Sequence, residues 1–213
     1  MDDLKLAELL CSRLCHDLVS PVGAVNNGIE LLEEFGESGG GEAMKLIASS
    51  GKQASRRLQF YRVAFGQAGA QLAQPVADVR ELLGGIFEGG KLVVQWDPAS
   101  TKAPNVAGWG KMLLNLIALA AESLPRGGAL AVAVTVGADK SRLAVTSSGQ
   151  GARLSDEART GLDPGAKVDA LSPRGVQPYF TVRLAQRMGG RLEVTGPDAD
   201  KMGFAVEIPH RAE

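Results

Sequence analysis

Along residues 3–35, apolar and small side chains recur at alternating spacings of three and four: Cys11, Leu14, Leu18, Pro21, Val25, Gly28 and Leu32, flanked by Cys15, Val22 and Ile29. This is the period of one helix face, sustained long enough to form a packing seam. The polar string FGESGGGE interrupts it, with glycines suited to stopping one helix and turning the chain. Over 43–65 the pattern resumes through Met44, Ile47, Gly51, Ala54, Leu58, Tyr61 and Phe65. The two segments predict a helical hairpin. Its apolar stripes are too wide for two helices to bury between themselves, so the pattern also predicts a homodimer whose hairpins combine into a four-helix bundle.

After GQAGAQ at 66–71, a small-residue linker, the periodicity changes. The chain therefore divides into a hairpin over 1–70 and a second unit over 71–213. In the second unit the pattern predicts a helix over 77–87, a strand at LVVQW (92–96) and an apolar helix from Trp109 to Leu124. Strands follow at ALAVAVTV (129–136) and RLAVTSS (142–148), then a Gly, Pro and Asp-rich stretch over 149–174 that reads as irregular. A helix over 176–188 stops at Gly189 and Gly190, and RLEVT and GFAVEIP form a closing strand pair. Two adjacent hairpin-like pairs among interleaved helices predict a mixed sheet covered by helices on one face, and an α+β class for the whole chain. There is no internal repeat.

Composition narrows the function. With 45% hydrophobic and 22% charged residues in 213, disorder is excluded. The 23 basic and 24 acidic side chains give no electrostatic footprint for nucleic acid or membrane, and 5% aromatics leave few stacking platforms for single strands. The longest apolar run, Met112 to Ala121, is about half of what a bilayer requires, and Asn115 interrupts it. The start, MDDLKLAELL, lacks the basic end of a signal peptide, so the expected location is cytoplasmic. Cys11 and Cys15 stand one helical turn apart, which is neither a disulfide framework nor a zinc pattern; they are expected to be small buried thiols, and no metal site is expected. The 27 glycines suggest, at first sight, a supply for cradling phosphate.

The candidate chemistry lies in the first helix. His210, near the C-terminal end of the sequence, reads as a solvated tail residue. His16 falls on the line His16, Gly23, Glu30, beside the line Arg13, Ser20, Asn27, Glu34 and away from the seam, so it should face water. An ordinary surface histidine is the plain alternative. Against it, Pro21 in mid-helix costs about 3 kcal/mol and Gly23 about 1 kcal/mol relative to Ala, expenses that a merely solvated helix does not require. A kink and a bare patch just after an exposed imidazole suit close approach by another protein. Near neutral pH an imidazole is available as a nucleophile toward phosphorus, and the adjacent Asp17 is placed to orient the ring or accept its proton.

The string HDLVSPV resembles the phosphoacceptor box of histidine kinases, commonly HELRTPL, with His16, Asp17, Leu18, Ser20 and Pro21 aligned without gaps. The element order after residue 76 is similar to the ATP-binding α/β sandwich of the same kinases. The resemblance fails at the nucleotide boxes. In NLIALA, Asn115 remains but Leu119 stands where a second Asn would hold Mg²⁺, and leucine offers no oxygen. In SSGQG, Ser147 replaces the adenine-binding Asp while Gly149 and Gly151 remain. The phosphate loop would fall at RGVQPYF, where only Gly175 matches. A phosphoacceptor hairpin on a nucleotide-dead kinase domain resembles the alphaproteobacterial histidine phosphotransferases, as do LIASSG at 46–51 and LQFYRVAFG at 58–66.

That resemblance implies a phosphorelay without ATP. His16 would take a phosphoryl group from the receiver domain of a hybrid kinase and pass it to response regulator receivers, a relay of the CckA to CtrA and CpdR type. It implies no cofactor bound by this chain, Mg²⁺ being brought by the receiver's acidic pocket. Asp17 and Ser20 would assist at the site. Arg13, Gly23, Asn27, Arg56 and Arg57 would meet the partner. Counted from the turn, His16 lies level with about residue 60, so Arg57 and Tyr61 should be near its height, with Tyr61 assigned to the core. Three alternatives stay open on the sequence: a divergent ATP-dependent histidine kinase, a non-catalytic receiver-binding scaffold, and a receiver phosphatase, Ser20 falling where a Thr or Asn places water in some kinases.

Overall fold

The computed structural model describes residues 2–35, 40–70, 75–87, 89–104 and 106–210. Two long helices, α1 (Asp2–Phe35) and α2 (Gly40–Ala64), pack along each other as a hairpin. The glycine-rich turn expected between them lies mostly outside the described residues. Helix α1 runs unbroken through Pro21, whose ring is buried on the seam, so the proline has a packing role that its cost alone did not suggest. At Gly28 the helices pack too closely for a side chain: a Cβ there would meet Ile47 at 2.6 Å.

A short 3₁₀ turn, Gln67–Ala70, then leads toward α3 (Pro75–Ile86). Next come β1 (Leu92–Trp96), α4 (Trp109–Glu122), β2 (Gly128–Val136) and β3 (Lys140–Ser148). The remaining elements are α5 (Asp156–Leu162), α6 (Val176–Arg187), β4 (Arg191–Asp198) and β5 (Lys201–Pro209). The strands form one five-stranded mixed sheet in the order β1-β2-β3-β5-β4, with β1 parallel to β2 and the other pairs antiparallel. Alternation sends Leu130, Val132, Leu143, Val145, Met202, Phe204 and Val206 into the core beneath the very apolar α4, while Ala131, Thr135 and Thr146 remain on the open face. This is the one-sided mixed sheet that the pattern predicts.

The stretch over 149–174 corrects the sequence reading. It contains α5, capped by the Ser155 hydroxyl accepting from the Ala158 amide, and a 3₁₀ turn at Val168–Ala170. With only seven residues and a glycine near its end, α5 is too short to show a helical period.

The hairpin is packed onto the sheet unit at two places. Val63 and Ala64, at the end of α2, join the main core with α3 and α4. Near the start of α1, Leu9 joins a smaller cluster with Val168, Leu171, Val176 and Tyr179. His210 is also not a loose tail: its Nε2 meets the Ser141 hydroxyl at 2.8 Å and its Nδ1 the Ala138 carbonyl at 3.0 Å, tying the end of β5 to the β2–β3 turn.

Candidate functional site

His16 stands on the outer side of α1 with 69% of its side chain exposed. Its Nδ1 lies 3.0 Å from Oδ1 of Asp17, the next residue. Asp17 in turn is only 18% exposed, because its carboxylate is drawn into the groove between the helices. Its Oδ2 accepts from Arg13 Nε at 2.9 Å, one helical turn earlier, and from the Tyr61 hydroxyl of α2. Arg57, one turn before Tyr61, donates to the Asp17 main-chain carbonyl. Residues 57 and 61 therefore do lie at the height of His16. Tyr61 is not a core side chain, however: it is half-buried, and its hydroxyl is spent on the carboxylate.

Arg13 extends the network out of the hairpin. Its Nη2 donates to Glu122, the last residue of α4, while its Nη1 is buried with no hydrogen-bond partner among the described residues. Burial opposes ionisation of Asp17, yet hydrogen bonds from Tyr61, Arg13 and His16 and the Arg13 charge together hold its carboxyl at a pKa of about 2. Arg13 is pushed above its usual range: burial works against it, but Glu122 and Asp17 outweigh that cost. Burial and the Asp17 carboxylate raise the Tyr61 phenol, which stays protonated as a donor.

The other expected site residues fall as follows. Ser20 and Asn27 are exposed and Gly23 is half-buried on α1, and a Cβ at Gly23 would meet nothing within 4 Å, leaving open space beside His16. Arg56 packs over Gly85 of α3. Arg13 and Arg57, expected to meet a partner, have their guanidiniums engaged within the chain. Cys11 and Cys15 are exposed in the single chain, contrary to the expectation of buried thiols. They share a stripe with Leu4, Val22 and Ile29, which are also exposed and face away from the α1–α2 seam.

The positions aligned with kinase nucleotide boxes are closed in upon themselves. Asn115 is fully buried; its Nδ2 donates to the Ala64 and Lys111 carbonyls, both at 2.9 Å, and its Oδ1 accepts from Gln177 at 3.3 Å. Leu119 is sealed in the core. Ser147 is also sealed, its hydroxyl paired with that of Ser123 at 2.7 Å. The Gly149 amide donates to the Asp200 carbonyl at 3.0 Å and the Gly151 amide to the Asp200 carboxylate at 2.9 Å, so the loop that would meet a nucleotide is tied to the β4–β5 turn. Among the described residues no cluster of three or more His, Cys, Asp or Glu could hold a metal ion, and no helix is long and apolar enough to cross a membrane.

Glu122 and the Tyr61 hydroxyl are the site groups that sequence reasoning missed. Glu122 did leave a signal. A carboxylate at the C-terminal end of a helix opposes the macrodipole, and it is the one acidic residue of the largely apolar α4.

The hairpin thus carries an exposed histidine against a half-buried carboxylate and packs on a five-stranded mixed sheet. The chain belongs to the histidine phosphotransferase family: the model of its C-terminal domain matches residues 76–200. The chain is also 40% identical over 208 residues to protein phosphotransferase ChpT of Brucella abortus (strain 2308), covering 96% of both. Among solved structures it is similar to a bacterial phosphotransferase at 34% identity and a TM-score of 0.80, over 97% of each chain. Histidine kinase AdeS of Acinetobacter baumannii shares the fold alone, at 16% identity, a TM-score of 0.51, and 91% and 97% coverage.

Proposed function

We propose that this phosphotransferase carries its phosphoryl group on His16, as an ATP-independent intermediate between two receiver domains. The observation that carries the reading is the His16–Asp17 pair: an ionised carboxylate accepts only, so Nδ1 bears the proton and Nε2 presents its lone pair to solvent. Nε2 attacks the phosphorus of the donor's aspartyl phosphate; the P–N bond forms as the P–O bond breaks, and the donor carboxylate leaves with the electron pair. Nδ1 keeps its proton, and Asp17 stabilises the positive charge that develops on the ring. In the second half, an acceptor carboxylate oxygen attacks the phosphorus and the P–N electron pair returns to Nε2. Mg²⁺ is supplied by the receiver's own acidic pocket.

The bare surface of Ser20, Gly23 and Asn27 is the proposed receiver contact, with Arg56 alongside, while Arg13 and Arg57 hold the site from within. Donors and acceptors of the hybrid-kinase and response-regulator classes fit this scheme, and the setting is cytoplasmic. The division at about residue 70, into a phosphotransfer hairpin and a degenerate kinase-like domain, is part of the same proposal. So is a homodimer: Leu4, Val22 and Ile29 on α1 and Met44 and Leu58 on α2 are large apolar side chains left exposed, the stripe a second hairpin would cover. Val22→Glu combined with Leu58→Glu is expected to convert a dimer into a folded monomer by light scattering. A monomeric parent protein would remove the bundle from the proposal.

Transfer itself is tested with a purified phosphorylated receiver, free of ATP. The parent chain should gain acid-labile phosphate, and a folded His16→Gln variant none. Undiminished labelling of that variant would assign the phosphate elsewhere.

A further inference from the structure

We propose that Glu122, in the C-terminal domain, is a positioning residue for phosphoryl transfer, acting through Arg13 and Asp17 to hold the His16 ring with Nε2 outward. The inference rests on the reading of His16 as phosphoacceptor and assigns the degenerate domain a direct part in the site.

The network divides its atoms with no overlap. Oδ1 of Asp17 serves His16; Oδ2 serves Arg13 and Tyr61. Which oxygen faces the ring is therefore decided by what grips the other one. Tyr61 supplies a single hydroxyl. The second grip, Arg13, has its fork split between two carboxylates, with Nε on Asp17 and Nη2 on Glu122. A guanidinium cannot shed its charge, and Arg13 is only 16% exposed, so it needs an anion on each side to remain where it is. Without Glu122, the half-buried cation is left with Asp17 alone. The arrangement that best satisfies it is then a two-pronged grip on both carboxylate oxygens. That grip takes Oδ1 from His16. The ring, exposed and otherwise unheld among the described residues, is then free to turn and to exchange tautomers.

The placement of Glu122 agrees with such a role. It ends α4 at the negative pole of the helix, where a carboxylate gains nothing locally, and the compensating charge is Arg13 of the hairpin. The first turns of α1 are held on the same domain by Leu9, so the pair spans a packed contact.

The test uses the full chain with ¹⁵N-labelled histidine. Long-range ¹⁵N–¹H spectra read the tautomer of His16, with His210, remote and held by Ser141 and Ala138, as an internal standard. The parent should show Nδ1 protonated and Nε2 free. Glu122→Ala should mix the His16 tautomers, leave His210 unchanged, and slow phosphate uptake from a phosphorylated receiver roughly ten- to a hundredfold. Glu122→Asp should recover part of both. If Glu122→Ala does not fold, Glu122→Gln, which keeps the shape and removes the charge, is read in the same two ways. An unchanged tautomer ratio, or slowed transfer with the tautomer intact, overturns the inference. Because the spectra need no phosphate, they separate its failure from that of the phosphoacceptor reading, which falls if the parent takes up no phosphate at His16.

Discussion

The cluster around Asp17 and the cluster around Asn115 are built from similar parts, a carboxylate or amide bridging helices that are distant in sequence. They end differently. Asp17 is reached by Arg13, Tyr61 and Arg57 from inside and passes its remaining oxygen to an exposed imidazole. Asn115 is reached by Gln177 and spends its amide on the Ala64 carbonyl, and Ser147 closes on Ser123, with no polar atom of these groups left toward solvent. One network holds an imidazole out toward solvent; the other has turned a retained asparagine of a kinase-like box into cross-bracing for the hairpin. A polar residue retained in a family box is thus no sign of retained chemistry. Its remaining valence is what counts.

Changes that challenge this contrast should differ in size and in what they affect. The largest effect on stability is expected from Ser147→Asp, which restores the kinase residue type but places a carboxylate in a sealed site beside Ser123; it should cost about 3 kcal/mol or more in denaturant unfolding and bring no MgATP binding by calorimetry. Tight nucleotide binding by that variant would show that the closure is superficial.

Next in size is the acid response of Asp17. Its folded pKa of about 2 lies below the ordinary value of about 3.9, so the unfolded chain binds its proton first as the pH falls. The stabilisation is complete above about pH 5, is lost progressively as the pH falls through about 4 and then about 2, and amounts to roughly 2 to 3 kcal/mol at most. The stability difference between the parent and Asp17→Asn should shrink across that window. A difference constant from pH 6 to pH 2 would mean that the carboxylate is not held as described.

The smallest effects sharpen the comparison most. Tyr61→Phe and Ser123→Ala each remove one hydroxyl and should each cost about 1 kcal/mol. Only Tyr61→Phe should slow phosphate transfer. If Ser123→Ala slows it equally, the two clusters are not separate.

Most of the architecture was legible because its signals are long. Thirty-four residues of α1 repeat the helical period many times, and the strands alternate cleanly over β2 and β3. His16 and Asp17 were legible as adjacent residues, and the height of Arg57 and Tyr61 followed from counting along the hairpin. What was hidden depended on a third dimension. Tyr61 carries an apolar ring in an apolar stripe, and periodicity cannot see which way its hydroxyl reaches. Glu122 is separated from Arg13 by more than a hundred residues, so their pairing appears only once the hairpin is packed on the sheet unit. The exposure of Cys11 and Cys15 was hidden because an apolar stripe does not announce whether anything in its own chain covers it.

Locating the phosphate on the chain decides whether His16 is the carrier. The chain is incubated with a phosphorylated receiver in the absence of ATP, kept alkaline to preserve phosphohistidine, and its peptides are mapped by mass spectrometry. Phosphate is expected on the peptide bearing His16 and none on that bearing His210. Phosphate on another residue, or its complete release as inorganic phosphate with none captured on the chain, would contradict that role for His16.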